Sequence, residues 1–107
     1  MQQLSQPQIF HMMQLKAAID MENLGMRHSS GRSAAAHAKR IYKIKGNRAK
    51  VLKFLKDMIE LQKELRSYNV MYDHAFATDD KSALSKAEDA IPSLLDQIQE
   101  LYNVYEA

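Results

Sequence analysis

The chain contains no cysteine, and it has only three glycines and two prolines among its 107 residues. The absence of cysteine excludes disulfide bonds, thiolate metal sites and a cysteine nucleophile, and it is typical of proteins in a reducing compartment. The few glycines and prolines leave few positions where a helix is interrupted. We therefore expect a cytoplasmic, helix-rich protein that is stabilised by packing alone.

Long apolar runs are also missing, since no run exceeds three residues. A transmembrane helix needs about 20 consecutive apolar residues, and a signal peptide needs an apolar core of about 7 to 15 residues after a charged start. Residues 1–4 have the sequence MQQL, which begins neither feature. We expect no signal peptide and no interaction with a membrane.

Catalytic and metal-binding motifs are missing as well. The four histidines show no pair at a spacing of four residues and no HExxH motif, so the sequence indicates no zinc site. Residues 25–33, GMRHSSGRS, differ from the phosphate-binding loop G-x-x-x-x-G-K-[ST] in length, and they have arginine where that loop has lysine. We expect a non-enzymatic protein without a metal or a cofactor.

The residues that are present favour helices, because alanine, leucine, lysine, methionine and glutamine are common and β-branched residues are few. A chain of this length fits one domain that buries about two thirds of its unfolded surface. We predict a single all-α domain over residues 1–107, in the form of a small helical bundle.

The first helix is predicted over residues 6–24. Ser5 and Gln8 have the spacing of a capping box, Pro7 suits the first turn, and Gly25 offers a left-handed end. The helix has an apolar stripe at helical spacing, with three further apolar residues that widen it. The stripe is Phe10, Met13, Ala17, Met21 and Leu24, widened by Ile9, Met12 and Ile19.

The second helix is predicted to begin after a loop over residues 25–33. Ser33 is the predicted N-cap, Gly46 is the predicted end of the helix, and Asn47 is the predicted N-cap of the third helix.

Two longer helices, at about 47–72 and 82–106, are predicted from a strict alternation of steps of three and four residues between apolar positions. A connection of about nine residues, 73–81, makes an antiparallel hairpin the economical arrangement. Pro92 predicts a bend in the last helix rather than a break, because the spacing keeps its phase across it. The apolar positions are Val51, Phe54, Met58, Leu61, Leu65, Tyr68 and Tyr72, then Leu84, Ala87, Ile91, Leu94, Ile98, Leu101 and Tyr105.

A second apolar edge on the third helix consists of Leu52, Leu55 and Ile59. Such an edge needs another helix against it, and either the first helix or a second copy of the chain would serve. Because the first helix is short, we expect a homo-oligomer, a dimer or larger.

Charge is distributed very unevenly. Residues 24–56 contain ten of the fifteen lysines and arginines and no acidic residue, whereas the hairpin half 57–107 is acidic. This uneven distribution of charge predicts a positively charged surface that binds polyanions. The two helix starts within the basic segment have free N–H groups and a positive dipole, so they are the predicted phosphate sites. The candidate ligand-binding residues are Arg27, Ser30, Gly31, Arg32, Ser33, Lys39, Arg40, Lys43, Lys45, Gly46, Asn47, Arg48 and Lys50.

The leading hypothesis is a small binding protein whose segment 27–56 contacts the phosphates of nucleic acid or of a nucleotide. A pair of helices joined at Gly46 has some likeness to a helix-turn-helix, but it lacks an obvious base-reading face. The alternative is a protein–protein interaction module that binds an acidic partner. Inhibitors and accessory factors of mobile elements, such as phages, include proteins of this general type, acting as homo-oligomers.

Overall fold

The computed structural model describes residues 4–25 and 33–106. The helices in these ranges are α1 (Gln6–Asn23), α2 (Ala34–Tyr42), α3 (Arg48–Thr78) and α4 (Lys81–Tyr105). These residues contain no strand, although Ile44 and Glu106 form an isolated antiparallel bridge. The prediction of an all-α fold with a long helical hairpin and two shorter N-terminal helices is confirmed.

The start of α1 has the predicted capping box. The Ser5 hydroxyl accepts from the Gln8 N–H at 3.3 Å, and the Ser5 N–H donates to Gln8 Oε1 at 2.8 Å. Gly25 has a φ of 88°, the left-handed conformation that glycine adopts without a steric cost. Both ends of α1 therefore lie where the local sequence places them.

The end of α2 differs from the prediction. Lys43, with a φ of 53°, is the left-handed cap residue, so the helix ends before Gly46. Ile44 is 3% exposed and pairs with Glu106, and Lys45 N donates to the Tyr105 carbonyl at 2.8 Å. The chain leaves the helix early because burial of Ile44 and these backbone contacts compete with another helical turn.

The hairpin connection also differs from the prediction, because it is much shorter than nine residues. Helix α3 continues to Thr78, and only Asp79 and Asp80 separate it from α4. Ala75 is 1% exposed, which shows that the interface with α4 extends past Tyr72. Asp79 adopts a left-handed φ of 57°, and the Asp80 carboxylate caps α4 by accepting from the Ala83 N–H at 3.2 Å.

The packed seam of the hairpin agrees with the periodicity. All fourteen predicted positions are buried or half-buried. Helix α4 is continuous across Pro92, as the unbroken spacing indicates. Among the residues described, no helix combines the length and the apolar composition that crossing a bilayer demands.

Helix α3 is the centre of the fold, since it packs against α4, α1 and α2, whereas neither α1 nor α2 approaches α4 closely. Its second apolar edge is covered within the chain: Leu55 is 0% and Ile59 6% exposed, and α1 packs beside them. The need for a second copy at this edge therefore disappears. Substitutions of Leu55 or Ile59 would test the core and not an oligomer.

The predicted apolar stripe of α1 faces outward. Phe10 is 60% exposed and Leu24 80%, and Met13 and Met21 are also exposed. The buried face is the neighbouring one, shifted by about one residue in the sequence, and it consists of Ile9, Met12, Leu15 and Ile19. Both faces have helical spacing, so contact with α3 decided between them.

Gln62 is the one buried polar side chain among the described residues, and its hydrogen bonds are satisfied. Its Oε1 accepts from the Leu4 N–H at 2.9 Å, and its Nε2 lies 3.6 Å from Met58 Sδ. The bond to Leu4 attaches the segment that precedes α1 to the middle of α3. Burial of this amide costs little folding stability, because both its oxygen and its nitrogen have hydrogen-bond partners.

Candidate phosphate-binding site

The described part of the basic segment is densest in residues 39–50, which we call the basic turn. It joins the end of α2 to the start of α3 and contains six basic residues and no acid. These bases are Lys39, Arg40, Lys43, Lys45, Arg48 and Lys50. Four other predicted ligand-binding residues, Arg27, Ser30, Gly31 and Arg32, lie outside the described residues.

Two lysines converge on Gly46 within the basic turn. The Lys39 ammonium group donates to the Gly46 carbonyl at 3.1 Å. The side chain of Lys50 lies over Gly46 so closely that a Cβ added to the glycine would be 2.8 Å from Lys50 Cβ. Gly46 also has a φ of 125°, so both its backbone conformation and this close approach favour glycine. The turn therefore holds two cationic side chains at the start of α3.

The start of α3 leaves hydrogen-bond donors open. The Asn47 carbonyl accepts from Val51 N, and its side-chain Oδ1 accepts from Lys50 N at 2.9 Å. The N–H groups of Arg48 and Ala49 have no acceptor among the described residues. A helix of 31 residues adds its positive dipole at this point. The local field and the two open donors both favour an anion here.

The basic side chains of the turn are mostly uncompensated. Arg40, Lys43, Lys45 and Lys50 are exposed, and none of them forms a salt bridge with another described residue. Arg48 is the exception, since its Nε lies 3.8 Å from Glu22 Oε2. The carboxylates of α4 and its C-cap do not form salt bridges with these bases in the described residues. A positive surplus therefore remains on the surface.

The start of α2, the other predicted phosphate site, already holds an internal carboxylate. Glu22 accepts from the Ala34 N–H through Oε1, and the Ser33 hydroxyl lies 3.5 Å from its Oε2. Ser33 also caps the helix as predicted, accepting from the Ala36 N–H at 3.3 Å. Glu22 thus occupies the place where a phosphate was expected, so a phosphate at Ser33 would compete with it. The start of α3 is the open one of the two in the described chain.

Sequence reasoning missed the role of Glu22. The available signal was its position in the last turn of α1, where a negative charge opposes the helix dipole and is unfavourable without a partner. Such a placement suggests that the carboxylate has a tertiary partner, but it does not say which one. The partners come from α2 and α3, which the sequence alone did not place beside it.

An aromatic cluster lies next to the basic turn. The ring of Phe54 is fully buried, and its centroid lies 6.3 Å from that of Tyr42, 5.5 Å from Tyr102 and 5.4 Å from Tyr105. The expectation that the end of the chain folds back beside the start of α3 is therefore met. Burial raises the pKa of Tyr42 and of Tyr102, so both phenols are neutral at physiological pH.

An open cavity of about 210 Å³ lies on the outer side of this cluster. Two of its walls are the half-buried rings of Tyr42 and Tyr102, and Lys43 of the basic turn stands at its edge. Its remaining lining residues are Gln99, Asn103 and Glu106. Gln99 and Asn103 were not among the predicted site residues, although their spacing of four places them on one face of α4.

A second cavity, of about 370 Å³, lies between α1 and α3. It is bordered by the exposed Met13 and Ala17 and by charged residues of both signs, including Lys16 and Glu60. Because the charges are mixed, this groove has no clear preference for an anion.

The described residues contain no cluster of three or more histidine, aspartate or glutamate side chains that is suited to a metal ion. Comparisons with protein-family models, with curated proteins and with solved structures found no match to this chain. Its function has to be argued from the residues themselves.

Proposed function

We propose that this chain is a small, non-enzymatic protein that binds nucleic acid through contacts of the basic turn with backbone phosphates. One observation carries the proposal: four exposed bases that have no acidic partner among the described residues belong to the same turn as a helix start with two N–H groups that are open in that part of the chain. The surplus is a property of this part of the chain because residues 24–56 contain no acidic residue, whereas the bases of the hairpin half lie among many acids. A cytoplasmic location is part of the same proposal.

A polymer suits the site better than a single nucleotide. The exposed bases extend beyond the turn to Lys56, about two helical turns, or roughly 12 Å, after Arg48 along α3. One phosphate group can contact only a few of these side chains at once. Successive phosphates of a nucleic acid would engage more of them, and each contact would add to the affinity.

Contacts are expected to be with the backbone and not with the base edges of a duplex. A recognition helix must present one face to the major groove. Helix α3 packs against all three other helices, and its side chains Val51, Phe54 and Leu55 in the first turns are fully buried. The chain therefore cannot read bases in the major groove as a helix-turn-helix protein does. The contacts that we expect are those with backbone phosphates.

The proposal predicts binding to a labelled oligonucleotide at about 50 mM salt that largely disappears by about 300 mM. If about five bases contact phosphates, log affinity should fall against log salt with a slope of about −4 to −5 for a duplex and about −3.5 for a single strand. Fluorescence anisotropy measures this slope, and the absorbance ratio of purified protein before and after a high-salt wash shows whether nucleic acid co-purifies. Absence of binding to any oligonucleotide at low salt would contradict the proposal.

A second candidate function is self-association through α1. Phe10, Met13, Met21 and Leu24 form an exposed apolar stripe, and isolated patches of this kind often mark an interface. The occupant that we propose is a second copy of the chain. The basic segment of one copy and the acidic hairpin half of another have opposite charges, so two copies attract each other.

Light scattering at tens of micromolar is expected to give the mass of a dimer or a larger species. Phe10→Gln together with Leu24→Gln should shift it toward the monomer, because both side chains are mostly exposed and their loss costs little folding stability. Phe76→Gln is the control, since Phe76 is 71% exposed but lies at the far end of α3. A monomer for the unaltered protein would remove this candidate.

A further inference from the structure

The cavity beside the basic turn has a lining that phosphate binding alone does not explain. Tyr42 and Tyr102 provide aromatic walls, whereas Gln99 and Asn103 provide amide groups. We infer that this cavity receives one unstacked base of a single-stranded nucleic acid. The inference rests on the proposed function and adds to it the class of nucleic acid that is bound.

The chemistry of the lining matches that of a nucleobase. A base has two apolar π faces and a polar edge of donors and acceptors. Tyrosine rings stack on such faces, and amide and carboxylate groups pair with such edges. Asn103 Oδ1 accepts from Gln99 Nε2 at 2.9 Å, so the two amides already lie side by side on α4. Lys43, the C-cap residue of α2, also lines the cavity and belongs to the basic turn.

The aromatic walls are held in place by the core. Tyr42 comes from the end of α2 and Tyr102 from the last turns of α4, and both rings contact the fully buried Phe54 of α3. The bridge between Ile44 and Glu106 fixes the backbones beside them. A site whose walls are already ordered loses little conformational entropy when a ligand binds.

The size of the cavity favours a base that is attached to a strand over a free nucleotide. Sites for complete small-molecule ligands usually measure about 300 to 1,000 Å³. At about 210 Å³ this cavity has room for a smaller group, with sugar and phosphate outside. Lys43 lines the cavity and the exposed Lys45 follows two residues later, so we expect these two bases to contact the phosphates that adjoin the base.

A duplex cannot present a base in this way without unpairing it, which costs a few kcal/mol. Stacking of a base on an aromatic side chain favours binding, and it is tolerant of sequence because every base has a π face. We therefore expect single strands to bind more tightly than duplexes of the same length. The preference should be independent of sequence to a first approximation.

The experiment uses the unaltered protein and three ligands of equal length: a single-stranded oligonucleotide, the same strand with abasic sites throughout, and the duplex. The abasic strand keeps every phosphate and loses every base. We expect the ordinary strand to bind about 5- to 100-fold more tightly than the abasic strand, with similar salt slopes. The duplex should also bind more weakly than the ordinary strand.

Two variants locate the effect. Tyr102→Phe keeps the ring and should retain the preference, whereas Tyr102→Leu removes one of the two stacking faces and should reduce the preference for the ordinary strand. Thermal unfolding checks that each variant is folded, and the comparison of ligands on the unaltered protein needs no variant at all.

The outcomes separate the two proposals. If the abasic strand or the duplex binds as tightly as the ordinary strand, the base site is overturned and phosphate binding stands. If none of the three binds at low salt, the proposed function itself fails. If the preference exists but is undiminished in Tyr102→Leu, the base lies elsewhere and the assignment of this cavity is wrong.

Discussion

The triple variant Lys43→Glu, Lys45→Glu and Lys50→Glu is expected to bind single-stranded nucleic acid at least about 100-fold more weakly than the unaltered protein at about 50 mM salt. Each phosphate contact on a single strand contributes about 0.7 to the slope of log affinity against log salt, so the loss of three of about five contacts changes the slope from about −3.5 to about −1.4. All three side chains are exposed, so their replacement removes no buried side chain from the core. Anisotropy titrations at several salt concentrations measure both quantities.

A matched control is available on the hairpin. Arg66, Lys81 and Lys86 are exposed, lie outside the basic segment, and give the same change in net charge when all three are replaced by glutamate. This control should lose much less affinity and keep most of the salt slope. Equal losses in the two triple variants would mean that only the net charge of the chain matters, and the basic turn would not be a site.

The second large effect is expected for Phe54→Ala, which should lower the free energy of unfolding by about 3 to 5 kcal/mol. Phe54 is 0% exposed, and its ring contacts Tyr42, Tyr102 and Tyr105, so it joins α2, α3 and the end of α4. Removal of the ring leaves a cavity at the point where these elements meet. Unfolding in urea, followed by circular dichroism, measures the change.

Phe76→Ala is the control for this loss. Phe76 is 71% exposed, and its ring stacks on Tyr72 of its own helix, so its replacement should lower the free energy of unfolding by less than about 1 kcal/mol. Because small domains are stable by only about 5 to 15 kcal/mol, the predicted loss at Phe54 is a large part of the total. A loss at Phe54 as small as that at Phe76 would show that the three helix ends do not form a tightly packed cluster.

The part of the candidate site that could be predicted from the sequence is the part that depends on neighbours in the chain. The clustering of Lys39 to Lys50 is visible in the sequence, and so is the cap at Asn47, whose side chain reaches a backbone N–H three residues away. The internal occupation of the α2 start was not predictable. It depends on Glu22, which is 12 residues from Ala34 and meets it only in the folded chain.

The cavity shows the same limit. The predicted antiparallel hairpin already implies that the tyrosines at the end of the chain lie near the basic segment, because it returns the end of the chain to the start of α3. Their arrangement around Phe54, with two rings that line an open space, could not be predicted. It depends on how α2 and α4 each pack against α3. The early end of α2 at Lys43, which lets Ile44 reach Glu106, is part of that arrangement.

By itself, the sequence determined the all-α class, the helix starts at Ser5, Ser33 and Asn47, and the seam between α3 and α4. These features depend on hydrogen bonds over three residues or on periodicity within one helix, and both are local. Tertiary structure decided which face of α1 is buried, how far α3 extends, and which helix start stays open to an anion. Each of these depends on contacts between distant segments: two faces of α1 had equally good spacing, and only the surface of α3 distinguished them.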